Sequence, residues 1–183
     1  MSKRTIIKAR RDTVTPLTVL DENVETLNED YTKLKYYNEY GGFTKSGDEY
    51  KFKVSDKHKL PTVWSTILAN PEFGTLVTQN LGGFTWHKNS RLNRITAWNN
   101  IPSRDIPSEI IYLENVENGK KWSMSQNISK NQEYHLTYGF GYVKVKSENE
   151  NIQKMMDIFV PIHDDIKIHY IKLTNTGTID KEV

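Results

Sequence analysis

The 183-residue chain contains no cysteine. That excludes disulfides, thiolate zinc sites and cysteine nucleophiles together. It has no run approaching the roughly 18 apolar residues that a membrane-spanning helix needs. The N-terminus, Met1-Ser2-Lys3-Arg4-Thr5-Ile6-Ile7-Lys8-Ala9-Arg10-Arg11, is basic but lacks the apolar stretch of a signal peptide, so a cytoplasmic protein is expected. Charge of one sign is also scarce. The net formal charge of +2 gives little basis for nucleic-acid binding, and none is expected. The five histidines have no metal-ligand spacing, and neither Ser90 nor Ser125 sits in a nucleophile elbow. No metal or organic cofactor is expected. What the chain does have is aromatic side chains, 4 Trp and 10 Tyr among them, a class that favours strands and also stacks on sugars.

Two zones differ in texture. Residues 1–34 are rich in charge and threonine and are expected to form an N-terminal extension. Within it, Leu20 to Leu34 has the spacing of one short helix, with Asp21 or Asn23 as cap and Val24, Leu27 and Tyr31 on one face. Residues 35–183 have the texture of strands. Tyr50-Lys51-Phe52-Lys53-Val54 alternates cleanly. Thr62 to Ala69, Phe73 to Gln79, Glu109 to Leu113, Lys121 to Ser123, Tyr134 to Tyr138, Tyr142 to Lys146 and Ile152 to Val160 follow. They are punctuated by Asn70-Pro71, Asn118-Gly119, Gly139-Phe140-Gly141 and Asn149-Glu150-Asn151. A final strand is expected from Ile166 to Leu173, where a phase shift in the apolar residues predicts either a bulge or burial on both faces. Many short strands at roughly 8–12-residue spacing argue for an all-β, antiparallel sandwich.

The stretch from Gly82 to Asp105 stands apart. It has no clear alternation, and Trp86 and Trp98 enclose Asn89, Arg91, Asn93 and Arg94. Long loops in compact domains are commonly functional, and two tryptophans argue against disorder. Amides and guanidinium groups suit bidentate bonding to vicinal hydroxyls or to phosphate, while a tryptophan face suits the C–H face of a sugar. The same residues would equally serve to tie the loop down, with the tryptophans as its core.

An ordered series of short motifs spans the chain from about Tyr36 to Asn175. It comprises Tyr40-Gly41-Gly42-Phe43, Gly47-Asp48-Glu49-Tyr50, Trp64 with Leu68-Ala69-Asn70-Pro71-Glu72-Phe73-Gly74, and the Trp86 to Trp98 segment. Ile111-Tyr112-Leu113, Trp122-Ser123, His135 to Tyr142, Phe159-Val160-Pro161 and Leu173-Thr174-Asn175 complete it. The series resembles the N-terminal domain of glycoside hydrolase family 94, formerly glycosyltransferase family 36, which includes cellobiose, cellodextrin and 1,2-β-oligoglucan phosphorylases and cyclic β-1,2-glucan synthases. The resemblance implies a β-supersandwich of the galactose-mutarotase-like kind, here incomplete. The family's catalytic acid, an Asp on a helical barrel, would lie outside this chain, which is expected to be inactive alone.

The family reaction is inverting phosphorolysis of β-linked gluco-oligosaccharides with inorganic phosphate as co-substrate, and its sandwich serves dimerisation and the walls of the sugar pocket. On that basis Trp86, Asn89, Arg91, Asn93, Arg94, Trp98 and Asp105 are candidates for a sugar-binding or interface role. None is a candidate for catalysis. The implied partners are a β-glucan oligosaccharide, the missing C-terminal barrel and a second copy in a homodimer. A stand-alone carbohydrate-binding module and an oligomerisation scaffold are the alternatives. Val63, where the family usually has proline, and Asn99-Asn100-Ile101-Pro102 depart from the pattern and leave the substrate open.

Overall fold

A computed structural model describes residues 27–98, 101, 104–126 and 132–183. Most of the expected N-terminal helix, with Asp21, Asn23 and Val24, lies outside these residues. Its described end forms only a 3-10 turn, Tyr31–Lys33, capped by the Asp30 carboxylate, which accepts from the Thr32 amide.

The described strands are all antiparallel. They are β1 (Gly41–Phe43), β2 (Glu49–Val54), β3 (Ser65–Ala69), β4 (Phe73–Thr78), β5 (Gly83–His87), β6 (Tyr112–Glu114), β7 (Lys121–Ser123), β8 (Tyr134–Gly139), β9 (Tyr142–Asn149), β10 (Ile152–Phe159) and β11 (Ile168–Asn175). A six-stranded sheet runs in the order β1-β2-β8-β9-β10-β11, a three-stranded sheet in the order β3-β4-β5, and β6 and β7 form a two-stranded ribbon. No helix among the described residues is long and apolar enough to cross a membrane.

Period-two alternation dictates which side chains meet. In β2 it turns Phe52 and Val54 inward; in β8, Tyr134 and Leu136; in β9, Val143 and Val145; in β10, Ile152, Met156 and Ile158. Many of these meet Leu68 of β3 and Val77 of β4 in one contiguous core between the two larger sheets. Phe52 is fully buried, with ring centroids 5.2 Å from Trp64 and 4.9 Å from Tyr138. Burial of each such side chain stabilises by roughly 1.5–3 kcal/mol. The same alternation carries Lys154 into the core, where it too is fully buried.

The turns follow their sequence cues closely in the large sheet. β9 and β10 are joined by Glu150-Asn151, both at positive φ (47° and 62°), a two-residue hairpin turn. β8 and β9 are joined by Phe140-Gly141. Asn118-Gly119 lies in a six-residue loop rather than a two-residue turn, because β6 and β7 pair only from Glu114↔Lys121 outward. β11 keeps an unbroken register with β10, Ile152↔Asn175 through Phe159↔Ile168, so there is no bulge. Its apolar phase shift reflects partial burial on both faces instead.

The chain between Asp105 and β6 is a tied loop rather than a strand before Tyr112. Ser108 and Glu109 both donate their amides to the Leu81 carbonyl. Glu109 also receives Lys167 Nζ at 2.5 Å and His169 Nε2 at 3.3 Å from the start of β11. The His169 bond, followed by the Lys167 ammonium, holds the Glu109 carboxyl down at about 2 against an ordinary 4.5, despite opposing burial. A depressed carboxylate contributes stability that is complete above pH 4.5 and lost as pH falls through about 2. With the partial exposure of this carboxylate, Glu109→Gln should cost about 2 kcal/mol at pH 7 and flatten the acid limb of a urea-unfolding series.

Candidate functional site

The Gly82 to Asp105 stretch is not an open loop. Its first part is β5, paired in full with β4 from Phe73↔His87 to Val77↔Gly83. The chain then turns back and lies beside β5. Trp86 bridges Arg94, His87 donates its amide to the Asn93 carbonyl, and Ile95 donates to Thr85. Alternation was hidden because Gly83, Phe84 and Thr85 are all buried, so β5 has no polar face to mark its period.

Between these arms the tip is braced from within. The Asn89 side chain accepts from the Arg91 amide at 2.9 Å and the Leu92 amide at 2.8 Å, and its own carbonyl accepts from Asn93 at 3.0 Å. Asparagine is suited to this, since its short amide mimics a backbone turn. Arg94 donates Nε to the Ser90 carbonyl at 2.9 Å. Its guanidinium lies 4.8 Å from the Phe84 ring centroid and 5.1 Å from that of Trp98. Phe84 in turn stands 4.8 Å from Trp98 and 5.3 Å from Trp86, both half-buried. Trp86 lies over Gly74 of β4, where an added Cβ would come within 3.0 Å of the indole. Cation–π contacts at exposed sites contribute about 0.5–1 kcal/mol each, so the stack fixes the hairpin without closing it off.

The seven candidate residues therefore divide. Trp86, Arg94 and Trp98 are brought together, joined by Phe84, which is not among the seven although it lies in the same Gly82 to Asp105 stretch. Asn89 and Arg94 hold the turn. Arg91 and Asn93 are exposed at the tip beside Leu92, which is 82% exposed. Asp105 is not part of this stack. Its Oδ1 accepts from the Thr78 hydroxyl at 2.6 Å, its Oδ2 from the Asn80 amide at 3.0 Å, and its carbonyl from Asn80 Nδ2 at 2.9 Å. Burial raises its pKa, against the lowering by those bonds. It anchors the returning chain to the end of β4.

The base of the hairpin meets the connection between β10 and β11. His87 Nε2 lies 3.2 Å from Asp165 Oδ2, and Asn70 Nδ2 donates to the Pro161 and Asp164 carbonyls at 2.9 Å each. Asn70 also accepts the Glu72 and Phe73 amides, so the Asn-Pro turn cue was the visible signal of this junction. The result is an aromatic-backed hairpin that presents donors at its tip.

Residues 48–183 match the family described as Glycosyl hydrolase 94, supersandwich domain. The chain belongs to that family. Similar curated proteins include the N,N'-diacetylchitobiose phosphorylases of Vibrio furnissii, 29% identical over 142 residues, and Vibrio proteolyticus, 28% identical over 142 residues. In each case the match covers 75% of this chain and 17% of the relative. The cyclic β-(1,2)-glucan synthase NdvB of Rhizobium meliloti is 24% identical over 143 residues, covering 77% of this chain and 5% of the relative. The supersandwich chain thus spans about a sixth of the length of these phosphorylases. The braced hairpin and the β10–β11 connection both fall inside the matched region.

Proposed function

We propose that this supersandwich is the non-catalytic sandwich portion of a longer glycoside phosphorylase acting on β-linked gluco-oligosaccharides. In the whole enzyme, inorganic phosphate attacks the anomeric carbon from the face opposite the leaving group, and one carboxylic acid protonates the departing oxygen. That acid belongs to a catalytic barrel outside this chain. Residues 1–34 are an extension and 35–183 the sandwich portion, in a cytoplasmic, homodimeric enzyme.

The match of residues 48–183 to the supersandwich family, with two chitobiose phosphorylases among the relatives, carries this reading. The hairpin tip supports a place for the chain at the pocket wall or the contact between copies. Arg91 and Asn93 extend from a braced turn into solvent, where they can bond to sugar hydroxyls or to a partner copy. Preorganised donors of this kind lose little entropy on binding.

Incubated with phosphate and cellobiose, laminaribiose, sophorose or N,N'-diacetylchitobiose, the isolated chain should release no sugar 1-phosphate. Turnover abolished by substitution of an acidic residue of this chain would overturn the assignment. Calorimetry with β-glucan oligosaccharides separates the alternatives. Binding lost in Trp86→Ala by the isolated chain would make it a self-sufficient binding module.

A further inference from the structure

The register of the six-stranded sheet builds its outer face in cross-strand rows. One row runs Glu49, Gly139, Tyr142, Phe159 and Ile168 from β2 to β11. Further along the strands, the β2 side of this face is covered by the chain that precedes β1. Tyr31 stacks on the His135 imidazole at 5.9 Å, Glu29 accepts from Lys51 Nζ, and Leu34 packs on Gly42. The row at the β8–β9 turn is partly open to solvent. Tyr142, Phe159 and Ile168 are half-buried, and Phe140 in the turn is 84% exposed.

Tyr142 does not stand upright in this row. Its ring lies across the neighbouring strand, where a Cβ on Gly139 would come within 2.8 Å of Cζ and both Cε atoms. Both Cε atoms are that near only if the added atom meets the face of the ring and not its edge. One face of the ring is therefore laid on Gly139, and the other is turned outward. The hydroxyl is anchored beyond it, donating to Glu49 Oε1 on β2. A ring held at both ends loses little freedom when a ligand stacks on it. Phe159 rises from β10, two strand spacings from β8, or about 10 Å. The charges at the rim balance. Glu49 Oε2 lies 4.0 Å from Lys51 Nζ, and Asp157 Oδ1 lies 4.0 Å from Lys144 Nζ. Such a rim selects neither a polyanion nor a polycation, and it offers donors and acceptors side by side, as hydroxyl groups require.

We propose that this open part of the outer face is a carbohydrate platform, on which a β-linked gluco-oligosaccharide lays the C–H faces of its sugar rings against Tyr142 and Phe159. A β-glucopyranose carries its hydroxyls around its rim and C–H groups on both faces, so it matches a flat aromatic ring with a polar surround. Two aromatic rings about 10 Å apart are bridged by an oligosaccharide and not by a single sugar. The core of the sandwich separates this platform from the Trp86 to Trp98 hairpin. The choice of ligand rests on the reading of the whole enzyme as one acting on β-linked gluco-oligosaccharides.

NMR titration of the isotope-labelled full chain with cellopentaose, laminaripentaose and sophoropentaose tests the platform. With at least one of them, saturable shifts are expected at the Tyr142 and Phe159 rings and at the Gly139 and Gly141 amides, with the Trp86 and Trp98 indoles unmoved. By calorimetry, Tyr142→Ala should weaken binding about tenfold, the scale of one aromatic contact. Tyr142→Phe, which keeps the ring, and Trp86→Ala should each stay within about twofold of the wild type. Shifts confined to residues 82–98, or undiminished binding by Tyr142→Ala, would overturn the platform. If Tyr142→Ala does not fold, the wild-type shift map decides. No saturable shift with any of the three at about 10 mM would also overturn it, and would leave the assignment as a non-catalytic portion standing. Release of sugar 1-phosphate by the chain would overturn that assignment instead, and the shift map would still report on the platform.

Discussion

Gly83→Ala is expected to destabilise the chain by about 3–4 kcal/mol and to lower its Tm by roughly 10 °C. Gly83 opens β5 with φ at 95°, a conformation that side chains other than hydrogen rarely adopt. A Cβ there would also lie within 3.0 Å of the Leu76 carbonyl carbon and oxygen on the neighbouring strand. Those atoms are backbone, so the clash cannot be relieved by a rotamer change. The chain must move, and the Val77↔Gly83 pairing that starts β5 must open. Phe84 and Trp86 follow on the opposite face of β5, so the aromatic stack under Arg94 goes with it. Gly47→Ala provides the comparison. Its φ is 88°, but nothing lies within 4 Å of the added atom. It should therefore show the conformational penalty alone, about 1–2 kcal/mol. Thermal unfolding followed by circular dichroism, with tryptophan emission as a second probe, would separate the two. Equal losses in the two variants would refute the steric part of the account.

The same strand shows why some of the molecule was legible in the sequence and some was not. β2, β8 and β9 each have one buried and one polar-marked face, and their periodicity survives in the residue order. β5 does not, because Gly83, Phe84 and Thr85 are buried together. With no polar marker, a strand rich in asparagine and arginine at its exit reads as a loop. The resemblance to the supersandwich family was carried by ordered spacing, which is insensitive to such local ambiguity, and the family match agrees with it. The candidate residues were harder. Asn89, Arg94 and Asp105 have the chemistry of ligand-binding groups, and each meets a partner within this chain. For Asn89 and Arg94 the partners are a few residues away, and a turn was a fair expectation. For Asp105 they are Thr78 and Asn80, joined to it only through the return of the hairpin. Long-range pairing of this kind has no periodic signature. His135 is similar: its cover comes from Tyr31, 104 residues earlier in the chain.

Lys154 is the clearest case where periodicity and chemistry conflict, and it sets up a second large effect. Stability should rise by about 3 kcal/mol between pH 8 and pH 10.5, and Lys154→Met should remove that rise. The strand alternation puts Lys154 between Ile152 and Met156 on the core face of β10. Its ammonium donates to Asn149 Oδ1 at 2.6 Å and the Ser123 carbonyl at 3.2 Å, and lies 5.7 Å from the Tyr134 ring centroid. No carboxylate among the described residues neutralises it. Burial pushes the lysine down to about 8 from an ordinary 10.5. Between those values the unfolded chain holds a proton that the folded chain has released, so raising the pH favours folding. Below pH 8 both states are protonated, and the cost of burying the cation is constant. Methionine has a similar length and no charge. It would not strand the acceptors, because Gln132 Nε2 also donates to Asn149 Oδ1 and the Tyr134 hydroxyl to the Ser123 carbonyl. Lys154→Met should therefore be more stable than the wild type by about 1–2 kcal/mol at pH 7, as buried charges replaced by apolar groups of like volume can be. Because the wild type gains about 3 kcal/mol between pH 8 and pH 10.5 and the variant does not, the two should cross at about pH 9, with the wild type the more stable above it. Urea unfolding of both at pH 7 and pH 9.5 measures the difference directly, with tyrosine ionisation common to the pair. A variant less stable at pH 7, with the wild-type slope above pH 8 retained, would show that the ammonium is compensated within the fold.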